Sequence, residues 1–185
     1  MRIISGKFKG HHLVSFKAGH IRPTTDRVKE TLFNKIMHEA HFDQVLDLFC
    51  GTGNLGLEAL SRGADHVIFV DDHKQSILIT RQNLEKLKVE SSAYKAIQKD
   101  VISYLKTYEG EPFDLIFADP PFTKKMAHDV MLAASNSQAF GESTILTIES
   151  ELKERMDDEY GSVVRYDKRE FGDKILSFFQ KKPQI

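Results

Sequence analysis

From Val45 onward, short apolar runs alternate with amphipathic stretches, and this alternation restricts the possible folds more than any other feature of the chain. VLDLF (45–49), HVIFVD (66–71), a short stretch near Tyr94–Ile97, FDLIFAD (113–119) and TILTIES (144–150) read as strands. Helices are expected between them, around Leu55–Leu60, Gln75–Leu87, Val101–Tyr108 and Lys124–Ala134. Near-continuously apolar strands separated by helices belong in a parallel sheet covered on both faces, an α/β fold. The tail breaks the rhythm. VVRYDKREF and KILSFFQ flank Gly172 with no helix between them, and are expected to close a sheet edge as an antiparallel hairpin. Phe178 and Phe179 are adjacent on the last strand and should face opposite layers of the core.

The first 40 residues follow other rules. RIIS and HHLVSF read as two short β segments, joined by a loop with Gly6 and Gly10 at its ends. After Pro23, Thr24 or Thr25 can cap a helix with Asp26 in its first turn. Val28, Leu32, Phe33, Ile36 and Met37 give that helix an apolar stripe. A chain of 185 residues suits one domain with a small appendage, and the division expected is 1–40 and 41–185. Residues 1–40 hold eight basic and three acidic side chains, although the whole chain has a net charge of −1. A basic segment on a near-neutral chain suggests an anionic partner met by one face. Lys7, Lys9, Arg22 and Arg27 are the candidates to touch phosphate, with Lys29 beside them; one of Arg22, Arg27 and Lys29 could equally serve only to anchor the helix start.

Several function classes drop out. No apolar run approaches the roughly 20 residues of a membrane helix, and MRIISGKFKG has no apolar core before a cleavage site. Cys50, the single cysteine, excludes an intramolecular disulfide and a multi-cysteine zinc site, and reads as a small buried residue. The eight histidines show no paired spacing with carboxylates, so no metal is expected. A reducing cytoplasm is the simplest compartment.

Residues 47–56 read Asp-Leu-Phe-Cys-Gly-Thr-Gly-Asn-Leu-Gly. Gly51, Gly53 and Gly56 satisfy G-x-G-x-x-G between a strand and a helix, and Asp71 ends the next apolar run 20 residues after Gly51. A carboxylate there can accept both hydroxyl hydrogens of a ribose. On their own these residues fit NAD or S-adenosylmethionine. Asp47 separates the two, because a carboxylate before the glycines can pair with an α-amino group but would repel a pyrophosphate.

Asp119-Pro120-Pro121-Phe122 separates them further. Two prolines stiffen the turn at the end of a strand, so Asp119 and the Pro120 carbonyl become fixed acceptors beside an aromatic face. That set suits the exocyclic amine of a nucleobase, a poor nucleophile that gains positive charge as it attacks. Phe122 can stack on the ring, and the base must be unpaired or flipped to reach it. This motif does not choose between guanine N2, adenine N6 and cytosine N4, so an adenine-N6 or other amino methyltransferase on DNA or RNA stays open. An NAD-dependent oxidoreductase would leave the motif unexplained. A non-catalytic RNA-binding module would leave the acids at 47, 71 and 119 unexplained.

RIISGKFKGHHL (2–13), RPTTDRVKETLFN (22–34), DLFCGTGNLGLEALSRGA (47–64) and FADPPF (117–122) together resemble the RsmD family of 16S ribosomal RNA guanine-N2 methyltransferases. These are class I S-adenosylmethionine-dependent enzymes. The resemblance runs from about Arg2 to Phe179. It implies a seven-stranded, mostly parallel Rossmann-like sheet with a C-terminal antiparallel hairpin and an N-terminal β-hairpin extension. It also implies methyl transfer to N2 of one guanine, nucleotide 966 in the usual count, of 16S ribosomal RNA or the small ribosomal subunit, by a monomer. Asp47, Gly51 and Gly53 would line the methionine end of the cofactor. Asp71 would hold the ribose. Asp100, with Val101 beside it, would take the adenine amine. Asp119, Pro120 and Phe122 would face the target base. Family members often carry an acid two residues beyond the ribose acid; here that position is His73.

Overall fold

The computed structural model describes residues 1–15, 26–37 and 42–183. Arg22, Pro23 and the Thr24 or Thr25 cap lie outside the described residues. One eight-stranded sheet carries the fold, in the order β3-β2-β1-β4-β5-β8-β7-β6. Its parallel half consists of β1 (Gln44–Leu48), β2 (His66–Asp71), β3 (Tyr94–Gln98), β4 (Phe113–Ala118) and β5 (Phe140–Glu151). The antiparallel half is β8 (Lys174–Lys181), β7 (Val163–Phe171) and β6 (Glu159–Tyr160). The chain therefore has the expected α/β class, with eight strands in place of seven. The addition is β6, two residues long and too short to leave a periodic signal.

The β7–β8 hairpin closes through Gly172 and Asp173, with Gly172 at φ 65. A glycine at positive φ in the first loop position is what a tight two-residue turn between twisted strands needs. Phe178 and Phe179 are both fully buried, and they join different core clusters on the two faces of the sheet. The alternating pattern had required this.

Helices α2 (Asn54–Ser61), α3 (Lys74–Lys86), α4 (Val101–Lys106) and α5 (Ala127–Ser135) connect the parallel strands. α5 starts three residues later than the apolar spacing suggests. Lys125 takes φ 48, which ends the short 3₁₀ turn Phe122–Lys124 before the helix begins.

At the N-terminus, the described residues of the expected hairpin form one antiparallel bridge, Arg2 to His12, flanked by the bond from the Leu13 N–H to the Met1 carbonyl. The Ile3 N–H still donates across the loop, to the His11 carbonyl at 3.0 Å, but the next two residues turn to α2. The N–H groups of Ile4 and Ser5 donate to Glu58 of α2, at 2.8 and 3.0 Å. Gly6 lies so close to α2 that a Cβ there would sit 1.7 Å from the Ser61 carbonyl oxygen. Helix α1 (Asp26–Met37) buries Val28, Leu32, Phe33 and Ile36 as its stripe predicts, but Met37 is exposed. Ile3, Leu13 and the α1 stripe from Leu32 share one core cluster with Val45, Phe69, Phe117 and Phe178.

Candidate active site

The strand order reverses between β1 and β4, and open α/β sheets bind ligands in the crevice at such a point. Asp47 lies on β1 opposite Phe117, and Asp119 follows β4 by one residue. Both carboxylates are therefore delivered to the same crevice. A cavity of about 740 Å³ opens there. Its wall includes Asp47, Gly51 and Asp71 from the cofactor half of the expected site, and Asp119, Pro120 and Phe122 from the base half.

The glycine turn is held by side chains on both sides. Phe49 adopts φ 57, a strained conformation for a bulky residue, at the cavity wall. Gly53 caps α2 at φ 78. Gly56 permits close packing of α2 on the sheet, since a Cβ there would lie 2.3 Å from the Phe69 ring. Asp47 is 2% exposed and accepts the Gly56 N–H at 2.8 Å. Burial pushes its carboxyl up to about 7; the Gly56 bond opposes this, and the charges of Asp119 and Asp71 reinforce it. Three acids thus converge on one pocket, an arrangement that favours a cationic ligand.

Asp71 accepts the Gly51 N–H at 3.0 Å through one oxygen and the His73 N–H at 2.9 Å through the other. These two bonds fix its plane, and each oxygen keeps a further lone pair for a ligand hydroxyl. His73 lines the cavity and caps α3 through its backbone. Cys50 also lines the wall; burial raises its thiol well above the usual value, which suits a packing role rather than a nucleophile.

Three expected cofactor residues stand outside this wall: Gly53, which caps α2, Asp100 and Val101. Asp100 caps α4, accepting the Ser103 N–H at 2.8 Å, and bonds to Ser103 hold its carboxyl below the usual range. Val101 is 1% exposed and packs in the core. Of the phosphate candidates, Arg22 lies outside the described residues, and Lys7, Lys9 and Arg27 are not part of the cavity wall. The Lys7 N–H bonds the carbonyl of Ser61, the last residue of α2, while Asn54 at its start lines the cavity. Eight helical residues, about 12 Å, separate these ends. Lys7, Lys9 and Arg27 are exposed. Lys29 is not: at 1% exposure it bonds Glu58, Asn54 and the Arg2 carbonyl. The phosphate option for Lys29 is therefore excluded and the anchoring option holds.

Residues 1–180 match the family model described as Conserved hypothetical protein 95. A Ribosomal RNA small subunit methyltransferase D of Haemophilus influenzae is 36% identical over 152 residues, 82% of this chain and 79% of the relative. The protein of that name from Escherichia coli K12 is 32% identical over 153 residues, 83% and 76% of the two chains. The chain belongs to the RsmD family. Among solved structures, the Escherichia coli protein yhhF is similar over 100% of this chain and 99% of its own, with a TM-score of 0.85 and 27% identity.

This RsmD-family cavity also includes Met1, Thr52, Asn54, Gln75, Ser76 and Lys124, which sequence reasoning did not select. Thr52, Asn54 and Ser76 lie close in sequence to selected residues and could have been found by extending each motif. Met1 had no such signal. It reaches the wall because the Leu13 N–H bonds its carbonyl and Thr52 Oγ1 lies 3.8 Å from its sulfur.

Proposed function

We propose that this protein transfers a methyl group from S-adenosylmethionine to the exocyclic N2 amine of guanine 966 in 16S ribosomal RNA. One observation carries the reading: the glycine turn with its two acids and the Asp119–Phe122 turn form walls of the same cavity. The choice of ribosomal RNA rests on the names of the relatives, and the choice of N2 on the family resemblance.

S-adenosylmethionine supplies an electrophilic methyl group on a sulfonium centre. The residues present fit its charge, since Asp47, Asp71 and Asp119 make the pocket anionic. Asp47 and the Gly51–Gly53 turn hold the methionine end, and Asp71 binds the ribose hydroxyls. Asp100 and Val101 border the adenine, a role that rests on the resemblance alone. Asp119 and the Pro120 carbonyl accept the N–H bonds of the target amine and stabilise the positive charge that grows on its nitrogen. Phe122 stacks on the base. Residues 1–40 form the RNA-facing extension, with Lys7, Lys9, Arg22 and Arg27 meeting phosphates beyond the target nucleotide. In this reading the protein acts as a monomer. A ribosomal substrate places the work in the cytoplasm.

The test is nucleoside mass spectrometry of small-subunit ribosomal RNA from cells with and without the protein. Loss of one N2-methylguanosine is expected; loss of N6-methyladenosine instead would overturn the base assignment.

Asp47 makes cofactor binding pH-dependent. Below about 7 its carboxyl holds a proton in the free protein. A bound α-amino cation favours the carboxylate, so binding there must expel that proton. Affinity should therefore fall about tenfold from pH 8 to pH 6. Asp47→Asn should weaken binding at pH 8 and flatten the profile. Calorimetry showing a flat wild-type profile would remove Asp47 from the ammonium site.

A further inference from the structure

The tip of the β7–β8 hairpin reaches the base half of the site. Lys174, first residue of β8, pairs with Phe171 across the two-residue turn and with Glu151 at the end of β5. Its ammonium lies 4.2 Å from the centre of the Phe122 ring. The same nitrogen is 2.8 Å from Glu149 Oε2. Glu149 is 5% exposed and the Lys174 side chain 15%, so the pair is largely shielded from water. Phe122 lines the cavity, whereas neither Lys174 nor Glu149 does.

We propose that Lys174 is a positioning residue for methyl transfer: tethered by Glu149, it holds the Phe122 ring from behind and leaves the cavity face of that ring for the target base. The inference rests on the proposed stacking role of Phe122. A cation on a ring face is attracted by the quadrupole, more strongly when desolvated. Phe122 begins a 3₁₀ turn of only three residues, too short to fix a side chain by itself. A lone ammonium here would oppose the positive charge developing on the amine. The Glu149 carboxylate cancels that charge while preserving the contact with the ring.

The test uses small ribosomal subunits from cells lacking the methyltransferase, with labelled S-adenosylmethionine at saturation. Lys174→Met should slow single-turnover methyl transfer about three- to tenfold, the span of a partly desolvated cation–π contact. Cofactor affinity should not change. Lys174→Arg, which also stacks on aromatic faces, should restore the rate to within about twofold. In a Phe122→Leu background, Lys174→Met should have no further effect, because the residue it acts through is gone. Should Lys174→Met fail to fold with Glu149 left unpaired, Lys174→Met with Glu149→Gln takes its place under the same expectation. Equal effects in both backgrounds, or a wild-type rate for Lys174→Met while Phe122→Leu is slow, would overturn the positioning role alone. A wild-type rate for folded Phe122→Leu would overturn the stacking reading and this inference with it.

Discussion

Glu58→Ala is expected to cost about 3–5 kcal/mol of folding stability, the range for removing one partner of a buried ion pair. Glu58 is fully buried on α2 and its two oxygens serve four groups. They accept from the backbone of Ile4 and Ser5, from Arg62 Nε at 2.8 Å, and from Lys29 Nζ at 3.0 Å. Alanine would leave two N–H groups without this acceptor and strand an ammonium that is 1% exposed. Burial already pushes Lys29 below the usual lysine value, with Glu58 opposing that shift. Urea unfolding should show the loss, together with a fall in melting temperature on the order of 10 °C. Lys29→Met combined with Glu58→Gln should be milder, since no lone charge is then buried. A loss under about 1 kcal/mol for Glu58→Ala would mean that residues 2–5 are not anchored through this carboxylate.

Asp119→Ala should reduce the rate of methyl transfer about 10²–10³-fold, the usual effect of removing one preorganised electrostatic partner. The contribution appears in the transition state, where the target nitrogen gains positive charge. Cofactor binding should persist, because Asp71 and the glycine turn are untouched. Asp119→Asn is the sharper variant. It keeps an acceptor oxygen but loses the full charge, so intermediate activity is expected. The assay is single-turnover transfer to ribosomal substrate, with folding checked by thermal melt. A near wild-type rate for Asp119→Ala would reduce the motif to a stiff turn.

Local pattern carried the parallel strands and the order of the acids. HVIFVD is strand β2 from His66 to Asp71 because a strand buried on both faces must be apolar along its whole length. Asp47, Asp71 and Asp119 were legible because each sits at or just beyond a strand end, and parallel strand ends share one sheet edge. Gly56 was legible because helix and strand approach too closely there for a Cβ. What the sequence alone left open depends on pairs far apart in the chain. Lys29 looks like a surface lysine until Glu58, 29 residues later, meets it in the core. Lys174 and Phe122 are 52 residues apart and meet only because β8 inserts beside β5. Lys7 is legible in the sequence only as part of a basic segment, and docking on Ser61 is what sets it at the far end of α2 from the cavity. Strand and helix periods follow from the backbone's repeat and are written locally. A buried polar partner is chosen by whichever surface the folded chain brings against it, and no local repeat encodes that choice.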